Sequence, residues 1–249
     1  MKHVHTKFLL SCLLLLTFAA CTGDSYTELQ LASARGHTDR IEVLLNRGAD
    51  VDQANKYGKT ALMLAAEQGH VDAINRLIQF RAYQNAQDID GMTALMFAAA
   101  NGHAPAITSL LQHKADPNIT NRYEATALTN SVFFGHFEAT KALLASKEQI
   151  AKNTCENALL IAAGLGHTDI AAALIEYGVD INTKGKESRT PIMAAAHFGH
   201  DAMVEMLLKA GADLRSKDAD GFSAMEIAQK RNHMQIAAIL EKAATKSRK

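Results

Sequence analysis

The chain has 249 residues, 48% of them hydrophobic but only 6% aromatic, with no Trp and three Pro. Ala and Leu carry much of the apolar content, which favours closely packed helices over a β-sandwich. The 26 basic and 26 acidic residues balance, which argues against a nucleic-acid binder, since that needs a basic face. Three cysteines, Cys12, Cys21 and Cys155, are too few and odd in number for a disulfide framework.

In chain order the first element is an export signal over residues 1–20. Lys2 and Lys7 precede an apolar run from Phe8 to Ala20, too short to span a bilayer but suited to a signal-peptide core. The run ends Phe18-Ala19-Ala20-Cys21, and the first acid is Asp24. This resembles the lipobox of bacterial lipoproteins, with Phe18 where that family usually carries Leu. The resemblance implies that Cys21 is lipidated and becomes the mature N-terminus, and that Thr22 directs it to the outer membrane of a Gram-negative cell. Two alternatives stay open. One is an ordinary secretory signal with Cys21 incidental. The other is cleavage at Cys12, which would leave Leu13 to Ala20 on the mature chain. Residues 21–25 form a short tether, a reach of roughly 14 Å.

From Tyr26 onward one unit recurs. Gly-His stands at Gly36-His37, Gly69-His70, Gly102-His103, Gly135-His136, Gly166-His167 and Gly199-His200, with Asn232-His233 last. The steps are 33 residues, except for 31 between Gly135 and Gly166. Nine residues before each stands Thr27, Thr60, Thr93, Thr126, Asn157, Thr190 or Ser223. Each period predicts a short Ala-rich helix opened by that residue, a Gly-His turn, and a second helix with apolar residues at helical spacing, as at Ile41, Leu44 and Leu45. Gly48, Gly178 and Gly211 end the second helix, where a left-handed residue is needed.

The period, Ala-Ala, Gly-His, Leu-Leu, Gly-Ala-Asp and the opening Ser188-Arg189-Thr190-Pro191 together resemble the ankyrin-repeat family. The resemblance covers residues 26–243. It implies an all-α solenoid of about seven helix-turn-helix units with projecting finger loops. The units are placed at 26–55, 56–88, 89–121, 122–152, 153–185, 186–218 and 219–243, followed by a basic tail at 244–249. Where the family has the His of Thr-Pro-Leu-His, this chain has Met63, Met96 or Met193, exchanging a polar contact for soft packing. Glu124 replaces a finger glycine, and Arg81, Lys114 and Lys147 replace helix-ending ones. These departures, with the short step, place the softest part of the stack at 145–157, with Cys155 in an irregular loop.

No constellation for catalysis, cofactor or metal emerges. The periodic histidines stand a repeat apart, too far to share one ion, and the family uses them for hydrogen bonds across the loop. Gly58-Lys59-Thr60 lacks the first glycine and the strand of a phosphate loop. Cys155 reads as a stray thiol. The family's contact positions flank the finger glycine and the end of the first helix. Carried onto this chain they include Tyr57 in repeat two and Met92 in repeat three. Repeat four supplies Arg122, Tyr123, Phe133 and Phe134, and repeat five Leu165. Repeat six supplies Arg189, His197 and Phe198, and repeat seven Phe222. Aromatic residues and Arg of this kind are what interface centres use. The reading is a non-catalytic, monomeric protein-binding module in the bacterial envelope, tethered to the membrane by lipid and acting as scaffold or inhibitor on an unidentified protein. The alternatives are a secreted effector aimed at a host protein and a periplasmic immunity protein neutralising a toxin.

Overall fold

The computed structural model describes residues 26–146 and 150–246. The signal segment, Cys21, the tether and Lys147 lie outside the described residues. Seven helix pairs follow one another: α1 Glu28–Ala34 and α2 Thr38–Asn46, α3 Ala61–Glu67 and α4 Val71–Gln79, α5 Ala94–Ala100 and α6 Ala104–Gln112. Then come α7 Ala127–Phe133 and α8 Phe137–Leu144, α9 Lys152–Leu165 and α10 Thr168–Glu176, α11 Pro191–Phe198 and α12 Asp201–Lys209, α13 Ala224–Lys230 and α14 Met234–Lys246. Among the described residues there is no strand. Odd-numbered helices pack on one another in order as an inner row, and even-numbered helices do the same as an outer row.

Side-chain size decides this layering. The inner row buries Ala65 and Ala66, Ala98 and Ala99, Ala162 and Ala163, Ala195 and Ala196. Having only a methyl group each, these residues let neighbouring helices approach closely. The outer helices seal the core with Ile41, Ile74 with Leu77, Ile107 with Leu110, Ile170 with Leu174, and Leu207. No single pair can bury such a face, so each repeat is stable only on its neighbours.

Polar groups set the register. Thr27, Thr60, Thr93, Thr126 and Ser223 accept the amide at the third helical position. That position returns the bond: Gln30, Met63 Sδ, Thr129, Met193 Sδ and Glu226 accept the cap amide. Met63 and Met193 therefore do more than pack softly, because the thioether keeps a weak acceptor in the box. The turn histidines reach the preceding repeat rather than spanning their own loop. Nε2 of His70, His103, His136 and His200 lies 2.9–3.2 Å from the carbonyls of Ala34, Glu67, Ala100 and Gly164. Their rings lie against the preceding turn glycine, so that a Cβ on Gly69 would sit 2.7 Å from His103. A second inter-repeat bond comes from Asp52, Asn85, Asn118 and Asn182, whose side chains accept the amides of Tyr83, Asp116, Ala151 and Asp213.

Those bonds resolve the short step. From the start of an outer helix to the clamped amide is 12 residues at Val71–Tyr83, Ala104–Asp116 and Asp201–Asp213, but 14 at Phe137–Ala151. From the clamped amide to the next cap position is 10 residues at Tyr83–Thr93 and Asp116–Thr126, but 6 at Ala151–Asn157. Repeat five thus gains two residues before the clamp and loses four from the finger. The expected loop there is corrected: Ala151 caps α9, which runs 14 residues instead of the seven of α3 or α5. Cys155 is helical and 3% exposed. Six residues are too few for a finger that elsewhere takes ten, whereas Lys152 and Glu156, 3.6 Å apart at i,i+4, suit a helix.

Candidate binding surface

The fingers and the inner helices share one side of the stack. Fingers in repeats two, three, four and seven have a common design. Asn55, Asp88, Asn121 and Asp218 each accept the amides two and four residues ahead. The tip of each turns through a left-handed residue: Gly58, Gly91, Glu124 (φ 59°) or Gly221. Finger six lacks the side-chain acceptor, has Gly185 in its place, and turns through two left-handed residues, Glu187 (φ 59°) and Ser188 (φ 57°). Successive fingers join by backbone bonds, Ile89 to Tyr57, Arg122 to Asp90, and Ala219 to Glu187. Because α9 replaces finger five, the fingers form two ribbons, two-three-four and six-seven.

The contact residues inferred from the family pattern divide between surface and core. Tyr123, at a finger tip, is 67% exposed, and Lys56 lies 4.9 Å over the ring of the exposed Tyr57. Arg122 pairs with Asp90 at 2.9 Å and also donates to the Ile89 carbonyl. Phe133 meets Phe134 edge-on at 5.2 Å, and Phe134 stacks on His136. Phe198 is 49% exposed, contacts His197 at 4.8 Å and lies along Gly164. His197 Nε2 accepts a 2.8 Å bond from Arg231, and Arg189 pairs with Glu187 at 3.0 Å. Phe222 is half-buried against the core with Lys230 4.4 Å over its ring. Met92 is corrected: it is 5% exposed and closes the gap between finger and helix, so its side chain is core.

The residue just before each turn glycine or its Asn232 equivalent forms a column across the inner row. It reads Arg35, Gln68, Asn101, Phe134, Leu165, Phe198 and Arg231. Repeats four to six place three exposed apolar side chains side by side in this column, because α9 packs between α7 and α11. Polar residues bound the column at both ends.

Burial, then Glu156, pushes the Cys155 thiol above its ordinary range, the opposite of an activated nucleophile. Burial holds His103 below 6.5, with His136 and His70 adding to the effect. Lys59 is paired with Glu67 at 2.9 Å and lies 4.3 Å over the Phe97 ring, which occupies its charge inside the fold. Among the described residues no group of three or more His, Cys, Asp or Glu could hold a metal ion, and no helix is long and apolar enough to cross a membrane. Sequence reasoning missed the finger acceptors and the inter-repeat Asn/Asp bonds. Both recur with the period, so the repeat itself carried their signal.

A family model described as ankyrin repeats (3 copies) matches residues 6–88, 29–121, 73–154, 95–185 and 159–249. The chain belongs to the ankyrin-repeat family, whose domains are protein–protein interaction modules. A search of the curated proteins returned no match. Among solved structures, the human ASB11 ankyrin repeat domain superposes with a TM-score of 0.75 at 25% identity, covering 86% of this chain and 98% of that one. The ankyrin repeat domain of Bcl-3, a member of the IkappaB family, gives 0.74 at 21% identity with the same coverage.

Proposed function

We propose that this chain is a non-catalytic module of the bacterial cell envelope, lipid-anchored at Cys21, that holds or inhibits a protein partner on its concave face. The observation that carries the reading is the exposed column Phe134, Leu165 and Phe198, with Tyr123 projecting from the neighbouring finger. Core packing does not require large apolar groups there, since Gln68 and Asn101 fill the same position in repeats two and three. Contiguous exposed apolar groups rimmed by polar ones are characteristic of interaction sites. The tether, roughly 14 Å long, would hold the solenoid close to the bilayer, which favours a partner at or near the membrane.

Two experiments test the two halves. Labelled palmitate should enter the protein and be lost in Cys21→Ala; incorporation that survives the substitution refutes the anchor. Combined Tyr123→Ala, Phe133→Ala and Phe198→Ala should abolish capture of the partner from the envelope fraction while costing less than about 1 kcal/mol per site in stability, as exposed positions do. Loss of fold in that variant would assign the rings to packing.

A further inference from the structure

We propose that the surface formed by finger six, α11 and α13 takes an acidic segment of the partner protein, with a carboxylate between Arg189 and Arg231 and an apolar neighbour on Phe198. This deepens the concave-face reading and rests on it. Four observations converge. First, this surface holds cations that no carboxylate pairs. The pairs Arg189–Glu187 and Lys217–Glu226 satisfy four groups, while among the described residues Lys184, Lys186, Lys230 and Arg231 have no carboxylate partner.

Second, Arg189 Nε is shielded from solvent and has no acceptor among the described residues. A buried donor left unmatched is costly, so the Arg189 side chain gains by turning outward onto an arriving carboxylate. Third, Arg231 donates to His197 Nε2 at 2.8 Å. The imidazole therefore serves as a neutral acceptor that steers the guanidinium across the face. Burial holds His197 below its ordinary range, and the charges of Arg231 and Arg189 add to the effect. Fourth, the absence of finger five separates this ribbon from fingers two to four.

A protein segment suits the surface better than a nucleic acid or an anionic bilayer. Its cations are interleaved with Glu187, Asp220 and Glu226 and stand beside exposed Phe198, whereas a polyphosphate backbone needs uninterrupted positive charge.

The test is an array of peptides of roughly twelve residues, a length that spans a groove of this kind, varied from acidic to basic with and without aromatic residues. It is probed with the full chain and with Arg189→Gln/Arg231→Gln, whose fold is checked by circular dichroism and melting. Peptides rich in Asp or Glu with an apolar residue should bind, and the double variant should lose about tenfold or more. Arg231→Glu should move the preference toward basic peptides. A bound set without acidic bias, or one indifferent to both variants, overturns the proposal. So does tighter binding of duplex DNA or phosphatidylglycerol vesicles that is lost in the same variants, or no bound peptide at all. Unbiased peptides lost with Tyr123→Ala would sink the acidic site yet leave the concave-face reading standing.

Discussion

At the scale of single residues, the Gly-His turn is the joint that makes one repeat recognise the next. Gly69 has φ +73° and its Cα faces the His103 ring, while the same ring bonds the Glu67 carbonyl at 3.0 Å. Gly69→Ala should therefore combine left-handed strain with displacement of His103, for a loss of roughly 2–4 kcal/mol in urea unfolding. Gly48 is also left-handed, but a Cβ there meets nothing within 4 Å. Gly48→Ala should lose only the strain, about 1–2 kcal/mol; equal losses at the two sites would contradict the joint. His103 also ties stability to pH. His103 binds its proton less tightly folded than unfolded, because burial lowers it from 6.5. Its contribution is present above 6.5 and is lost as pH falls through the lower folded value. The urea midpoint should drop between about pH 7.5 and about pH 5.5, and His103→Gln should flatten that slope. The turn glycines, the periodic histidines and the left-handed Arg81 and Glu124 were legible in the sequence. The direction in which each histidine bonds was not, since a 33-residue spacing does not say whether a ring turns back or stays in its own loop.

At the scale of elements, the sequence disclosed nearly every helix, because cap, turn and apolar spacing agree in each repeat. It failed at repeat five. A step of 31 reads as two residues missing, whereas the structure gains two and loses four and fills the finger's place with the first turns of α9. Only the Asn118–Ala151 contact, which joins residues 33 apart, separates these solutions. Softness was expected over 145–157, yet Cys155 and Thr154 are buried in α9. Amide exchange at Cys155 to Asn157 should be within about tenfold of that in α7, whose bonds are of the same kind. Exchange there as fast as in an unstructured peptide would restore the loop.

At the scale of the whole molecule, repetition made the fold readable, and departures from repetition point to the work it does. The all-helical solenoid followed from the period together with the ankyrin-like motifs it carries. The surface followed only in part. Tyr123, Phe134 and Phe198 are exposed as the family pattern suggests, but Met92 shares that pattern and is core. Whether a contact position faces outward depends on how its finger folds back, and spacing does not encode that. Loss of finger five then divides the concave face into two ribbons joined by the apolar column. The central claim is that this face alone meets a partner. Its most direct test places a photoreactive residue, in living cells, at Tyr123 or Phe198, and at Asp72 or Glu205 on the exposed side of the outer helices. The account predicts a defined protein adduct from the first two positions and none from the second two. Adducts of equal yield from all four, or from Asp72 and Glu205 alone, would contradict it.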